Sequence, residues 1–252
     1  VILVLGGTLD SRELTASLLE KGIEVCYSTL TSIQSDQVKD DPALTKIYGQ
    51  LDTESLRETM VMYGITAIID ATHPYAKEIS ENAIWACDAA GIPYLRMERP
   101  SLIDDKSYVC DSYQEAKDLL VKLIEGTDKN ILLTTGSRQL ECFEGLPKNR
   151  IFARVLPTSG VLKKCENLGY KPRQILAVQG PFSILMNQAM IKEYQIGFMV
   201  TKDSGDVGGI TEKIEAAHEE DVKILFIKRP EVVYPNCVNS LEEALMWAGN
   251  LQ

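Results

Sequence analysis

Short apolar runs alternate with helical spacings along the whole chain. Residues 1–5 are all apolar and end in Gly6-Gly7-Thr8. Asp10 and Glu13 follow in capping-box spacing, and Leu14, Leu18 and Leu19 recur at helical intervals up to Gly22. Residues 23–27 give a second strand. The pattern predicts strand, glycine turn, helix and strand, the βαβ unit that binds a dinucleotide when its first turn cradles pyrophosphate. Residues 46–48 give a short strand, and residues 53–63 carry helical spacing through Leu56, Met60 and Tyr63. Residues 66–69 read as a buried strand ending in Asp70-Ala71-Thr72-His73-Pro74-Tyr75. A long helix is predicted to open there, with Pro74 in its first turn and Ile79, Ala83, Ile84 and Cys87 on its apolar side. Gly91-Ile92-Pro93 introduces another strand, which ends at Arg96 and is broken by Glu98-Arg99-Pro100.

Residues 101–111 are polar and irregular around 108–110, which places a domain boundary near residue 100. Ser112 and Glu115 cap a helix, and a second series of strands is predicted at 130–133, 151–155, 174–178, 196–200 and 223–227, with helical patterns between them. Ser240 and Glu243 cap a last helix containing Trp247. No tandem repeat relates the halves. The expected fold class is α/β: two successive Rossmann-like parallel-sheet domains with an active-site crevice between them. Residues 1–100 form the nucleotide-binding domain in this reading, and residues 101–252 the substrate-binding domain.

Parallel strands carry their carboxyl-terminal turns to one edge, so the chemistry of those turns adds up. In the second half they read Thr134-Thr135-Gly136-Ser137-Arg138, Arg154, Gln179-Gly180-Pro181-Phe182, Lys202-Asp203-Ser204-Gly205 and Arg229-Pro230. Any one of them is ordinary turn chemistry. Their recurrence suits a ligand that bears several carboxylates or phosphates. The richest is the stretch from Phe198 to Lys213. There Gly205, Gly208 and Gly209 let backbone approach a ligand, and Lys202, Lys213 and a helix N-terminus favour an anion.

The first turn reads G-G-T-x-x-S-R rather than G-x-G-x-x-G, with Thr8 and Ser11 supplying hydroxyls and Arg12 a fork for phosphate. No acid follows the second strand to grip a ribose hydroxyl. Ser28, Thr29, Thr31 and Ser32 stand there, which leaves NADPH and NADH both open. His73, at a strand's carboxyl end, faces the same crevice as the glycine turn, either lining the cofactor or carrying a proton; a hydrogen-bonded structural role is the alternative.

Composition narrows the class. The 252 residues are 45% hydrophobic and 25% charged, ordinary for a globular protein. The net charge of −10, with no basic stripe, argues against a nucleic-acid surface. No apolar run approaches the roughly 18 residues of a membrane span, and no basic leader pattern opens the chain, so the expected compartment is the cytoplasm. The six cysteines lack C-x-x-C spacing, and His73 and His218 share no ligand spacing, so free thiols and no metal site are expected.

Seven motifs, in order and nearly end to end, resemble the precorrin-6A reductase family of cobalamin biosynthesis, whose anaerobic branch reduces a cobalt-bearing substrate. They are L-G-G-T-x-x-S-R-E-L at 5–14, D-A-T-H-P-Y-A at 70–76, R-x-E-R-P at 96–100, L-T-T-G-S at 133–137, A-R-V-L-P at 153–157, Q-G-P-F-S at 179–183 and T-K-D-S-G-x-x-G-G at 201–209. The resemblance implies a reductase that uses NADPH or NADH to saturate one carbon–carbon double bond of (cobalt-)precorrin-6A, giving (cobalt-)precorrin-6B. Its partner is then an anionic corrinoid precursor, and any cobalt belongs to that substrate.

By the same resemblance Gly6, Gly7, Thr8 and Arg12 hold the cofactor, with Thr29, Asp70, Thr72, His73 and Pro74 beside it. Gly136, Ser137, Arg138, Arg154, Gln179, Gly180, Phe182, Lys202, Asp203, Ser204, Gly208, Gly209 and Lys213 face the macrocycle. Lys202 is the first candidate to stabilise negative charge developing on the ring, and the proton comes from Lys202, Ser137, His73 or solvent. Asp203 either orients Lys202 or acts itself. A non-catalytic nucleotide- or tetrapyrrole-binding protein and a reductase of another polyanionic small molecule are the alternatives. A methyltransferase is disfavoured, because the first turn lacks an acidic glycine-rich pattern.

Overall fold

In the computed structural model, which describes residues 1–205 and 209–251, the short apolar runs become strands, and every strand pairing among the described residues is parallel. In chain order the elements begin β1 (Ile2–Leu5), α1 (Leu9–Glu20), β2 (Val25–Thr29), α2 (Ser32–Ser35), β3 (Leu44–Tyr48) and α3 (Thr53–Met62). There follow β4 (Ala67–Asp70), α4 (Lys77–Ala90), β5 (Tyr94–Met97), β6 (Tyr108–Cys110), α5 (Tyr113–Leu123), β7 (Asn130–Leu133), β8 (Ile151–Val155) and α6 (Ser159–Asn167). The last are β9 (Ile175–Ala177), α7 (Ile184–Glu193), β10 (Ile196–Lys202), α8 (Ile210–Glu219), β11 (Lys223–Ile227), β12 (Cys237–Val238) and α9 (Leu241–Gly249). Among the described residues no helix is long and apolar enough to cross a membrane.

The chain divides into two compact units, Val1–Pro100 with Pro230–Gln252, and Ser101–Arg229. The first contains a six-stranded sheet in the order β3-β2-β1-β4-β5-β12. Its strands β1, β2, β4 and β5 are buried at every position because both faces are covered. Ile2, Val4, Val25 and Ile69 face one side, where Leu14 and Leu18 of α1 pack. Leu3, Leu5, Cys26 and Ile68 face the other, against Leu56 of α3 and Ala83 of α4. Each such leucine or isoleucine, taken from water, contributes roughly 1.5–3 kcal/mol. Chain direction across the sheet reverses between β1 and β4, and that switch point is where an open parallel sheet leaves a crevice.

The second unit repeats the design. Its order is β9-β8-β7-β10-β11-β6, so the reversal falls between β7 and β10. Phe152, Met199, Ile224 and Phe226 form one face of its core, with Met190 and Ile191 of α7 and Ala216 and Ala217 of α8 packed against them. In each sheet the sixth place is filled from outside the regular series, by β12 in the first and by β6 in the second.

Three sequence expectations need correction. The last helix, expected in the second domain, packs in the first unit: Ala244 and Ala248 are fully buried with Leu14, Leu18 and Val25, and β12 pairs with β5. The closing segment thereby covers a sheet edge and an apolar helix face that would otherwise stay open. After β7 comes no α-helix but two 3₁₀ turns, Leu140–Phe143 and Lys148–Arg150, because Gly145, at φ +94°, and Pro147 interrupt the segment. The first helix is capped not by Asp10 and Glu13 but by Thr8 and Ser11, each hydroxyl accepting the other's backbone N–H at 3.1 Å.

Ala244→Asp is expected to cost several kcal/mol by burying a carboxylate without a partner. Hydrogen exchange should show lost amide protection in β1, β5 and α1, and unchanged protection in β7, β8 and β10. Loss confined to the second unit would contradict this placement of α9.

Candidate functional site

The carboxyl ends of β1 and β4 flank the switch point of the first sheet. There the backbone is bare by necessity. A Cβ on Gly6 would collide with the ring of Tyr27, whose hydroxyl would stand 2.7 Å away. Gly7 adopts φ +104°, and its N–H donates to the Tyr27 hydroxyl at 3.2 Å. The amide nitrogen of Gln34 would lie 3.1 Å from a Cβ on Gly7, so a side chain there would have to displace the end of Gln34 as well as adopt that φ. A glycine-only turn leading into the twelve-residue α1 fits a dinucleotide's pyrophosphate.

The hydroxyls of this turn point inward. Thr8 donates to the carbonyl of Ala71 at 2.8 Å while capping α1, which stitches the β1 turn to the β4 turn. Ser11 is buried and shares a hydrogen bond of 2.9 Å with Tyr27. Thr29 is buried and donates to the carbonyl of Thr31 at 2.9 Å. The half-buried Arg12 makes no side-chain hydrogen bond or ion pair among the described residues, so its fork stays available to phosphate. Asp10, whose charge would oppose an anion at this helix end, is paired with Arg99.

Asp70, expected beside the cofactor, is the centre of a buried network. One carboxylate oxygen accepts from the N–H of Thr72 at 3.0 Å, the hydroxyl of Thr72 at 2.6 Å and Nη1 of Arg96 at 2.8 Å. The other accepts from Ser80 at 2.5 Å and Tyr94 at 2.8 Å. Arg96, fully buried, also reaches Glu98 at 2.9 Å and lies over the ring of Tyr234 at 5.3 Å. Burial works against its charge, yet Asp70, Tyr234 and Glu98 together hold its pKa above the ordinary value. The Tyr94 phenol is pushed far up by burial and then by the charge of Asp70. The network therefore holds β4, β5, α4 and the closing segment in register.

His73 is exposed, accepts the N–H of Tyr75 on Nδ1 at 3.3 Å and packs against that ring at 5.6 Å. Pro74 lies in the turn, not in a helix: α4 opens at Lys77, after a turn closed by Ala76 N–H to the His73 carbonyl at 2.8 Å. The Asp70–Thr72 hydrogen bonds fold the chain back before a helix can start.

The second switch point, between β7 and β10, gathers most of the residues expected to face a substrate. The Thr134 hydroxyl donates to the carbonyl of Val200 at 3.0 Å and anchors the turn, Gly136 takes φ +80°, Ser137 is half-buried and Arg138 exposed. The Thr135 hydroxyl is buried without a hydrogen-bond partner among the described residues. Arg154 on β8 donates to Asn187 Oδ1 at 2.8 Å, and its guanidinium lies 4.8 Å from the ring centroid of Phe182. Burial lowers its pKa to about 10. Lys213 on α8 is buried and donates to Thr201 at 2.9 Å. Lys202, half-buried, is lowered by burial and then by the charge of Arg138.

Gly209, at φ +66°, stands against the turn that holds Gln179 and Gly180; a Cβ there would come within 3.1 Å of Pro181. Gly208 lies outside the described residues. Sequence reasoning missed Asn187 and Thr201, both buried. The available signal was a polar residue interrupting an apolar face, Asn187 beside Met190 and Ile191 on α7 and Thr201 after 198–200 on β10.

Asp203 is buried and paired with Arg229, whose Nε lies 2.9 Å from its Oδ2. It also accepts the N–H of Leu102 at 3.4 Å. Leu102 and Arg229 stand at the two places where the chain enters and leaves the second unit. The loop after Lys202 is thus tied to both.

A family model described as Precorrin-6x reductase CbiJ/CobK matches residues 1–249. A cobalt-precorrin-6A reductase of Methanothermobacter thermautotrophicus is 37% identical over 92% of this chain and 77% of its own length. One from Priestia megaterium is 36% identical over 97% of this chain and 96% of its own. A precorrin-6A reductase of Rhodococcus erythropolis is 29% identical, covering 99% of this chain and 98% of its own. The solved structure of CobK precorrin-6A reductase shares the fold, with a TM-score of 0.76 at 21% identity over 99% of this chain and 96% of that one. The chain belongs to the precorrin-6x reductase family and is a reductase of cobalamin biosynthesis.

Removing one partner of a buried ion pair leaves a charge without compensation, at about 3–5 kcal/mol. Asp70→Ala is expected to lose that much in urea unfolding, and the joint replacement Asp70→Leu with Arg96→Met much less. Equal losses in the two proteins would contradict the account of Asp70 as the anchor of Arg96.

Proposed function

We propose that this chain delivers a hydride and a proton across one carbon–carbon double bond of cobalt-precorrin-6A, giving cobalt-precorrin-6B, with NADPH or NADH as donor. The nucleotide is assigned to the β1–β4 switch point of the first unit and the macrocycle to the β7–β10 switch point of the second. The observation that carries this reading is the set of cations at the second switch point: Arg154 and Lys213 have no carboxylate partner among the described residues, and Lys202 stands at the end of β10. A macrocycle fringed with acetate and propionate arms supplies the missing charges. The cobalt-bearing ring is favoured because the relatives at 36–37% identity carry that substrate in their names.

Bound reduced nicotinamide supplies the hydride. The glycine turn and the free fork of Arg12 bind its phosphates in this reading. No carboxylate stands among Ser28, Thr29, Thr31 and Ser32 to repel a ribose phosphate, so NADPH is admitted as well as NADH. Hydride arrival leaves negative charge on the conjugated ring, which a nearby ammonium stabilises best where water is excluded. Lys202 takes that role. Its lowered pKa also makes it a stronger acid than an ordinary lysine, so it is the preferred proton donor over the Ser137 hydroxyl and the exposed His73.

A charged hydrogen bond contributes about 1.5–3 kcal/mol, so Arg154→Ala should lower kcat/KM about ten- to a hundredfold, chiefly through KM. Lys202→Ala should lower kcat instead. Steady-state kinetics that follow nucleotide oxidation and the ring spectrum together test both. Near-wild-type kinetics in both variants would contradict the assignment.

A further inference from the structure

Two neighbouring cations of the second unit, the buried Lys213 and the half-buried Arg154, have no carboxylate partner among the described residues. Lys213, the fourth residue of α8, is 7% exposed, and among the described residues its ammonium makes a single hydrogen bond, to Thr201. Two of its three donors have no partner among the described residues. Arg154 is the neighbour whose charge bears on it. The arginine is fixed in turn: Asn187, 2% exposed, accepts from it, while the amide nitrogen of Asn187 donates to the carbonyls of Phe182 and Ser183 at 3.3 and 3.0 Å. That pattern aims the amide oxygen at Arg154. The Thr135 hydroxyl, without a hydrogen-bond partner among the described residues, follows β7, the strand between β8 and β10.

Burying one charge without a partner costs several kcal/mol, and a second like charge beside it adds to the cost. Two events relieve it: an anion arrives, or the lysine gives up its proton. Burial first, and the charge of Arg154 second, hold the Lys213 ammonium down to about 7. Arg154, at about 10, keeps its charge throughout the neutral range. Among the described residues β10 presents the neutral hydroxyl of Thr201 to the lysine, and the charge that bears on it is that of Arg154, with none from α7 or β11, which pack on α8.

We infer that Arg154, Lys213 and Thr201 form one subsite for a carboxylate arm of the substrate, and that Lys213 takes a proton from solvent as the carboxylate enters. The inference rests on the substrate reading above. In balance, neutral amine, one solvent proton and carboxylate become an ammonium–carboxylate pair, with no bond of the substrate changed. The sign follows. Above pH about 7 the empty subsite holds a neutral lysine, so apparent affinity falls as pH rises, by at most about tenfold per unit. Below pH about 7 the lysine is already charged and the dependence flattens.

The test is calorimetric titration of the full chain with precorrin-6A, in pairs of buffers of different ionisation enthalpy, at pH 6 and pH 8. Wild type is expected to take up about 0.9 proton per ligand at pH 8 and about 0.1 at pH 6. Lys213→Arg keeps the charge without titrating in this range. It should bind at both pH values with no difference in uptake, and Lys213→Met should bind more weakly with none. Binding by wild type with equal uptake at the two pH values, or a Lys213→Arg protein that retains the wild-type difference, overturns the inference while leaving the substrate reading intact. No binding by wild type overturns the substrate reading and this inference with it.

Discussion

Parallel pairing through short strands, buried on both faces, is the constraint on which the rest of the structure depends. Each parallel connection must cross over the sheet, so each strand's carboxyl end opens into a turn at the same edge. Where chain direction across the sheet reverses, two such turns diverge and leave a crevice. Both sheets here reverse at the equivalent place, after the central strands β1 and β7. The Gly6–Gly7 turn and the turn after Asp70 meet at one switch point, and the Thr134–Arg138 turn and the loop after Lys202 at the other. Chemistry scattered over the sequence is brought together by topology alone.

What differs between the two switch points is how their buried charges are balanced. In the first unit Asp70 and Arg96 neutralise each other, and the remaining lone pairs are filled by Thr72, Ser80 and Tyr94. Asp203 and Arg229 make a similar pair in the second. Such pairs add little net stability but punish any rearrangement, so they fix geometry. Arg154 and Lys213 break that rule within the same fold. Cations supported by neutral partners, Asn187, Phe182 and Thr201, are arranged for a charge that comes from outside.

Most strands and their parallel sense were legible in the chain because an uninterrupted apolar run of four or five residues has little use except in a sheet covered on both faces. The place of the closing segment was not. Nothing local in Ser240 or Trp247 tells which sheet α9 covers, since that depends on an edge left open about 140 residues earlier at β5. The segment after β7 misled for the opposite reason: its apolar spacing is helical, but Gly145 and Pro147 prevent the turn from propagating. Among site residues, Gly6 and Gly7 were readable because only glycine tolerates their surroundings. The inward commitment of Thr8, Thr29 and Asp70 was not, because their partners Ala71, Thr31 and Arg96 become known only when the turns are folded.

The central claim is that hydride passes from a nicotinamide to the corrinoid ring. The most direct measurement is single-turnover reduction of cobalt-precorrin-6A with nucleotide deuterated on both faces of C4, followed by mass spectrometry of the product. The account requires a product carrying a single deuterium from the nucleotide, with the second hydrogen taken from solvent. A chain that binds both molecules yet leaves the ring unreduced, or a product that takes both hydrogens from solvent, would contradict it.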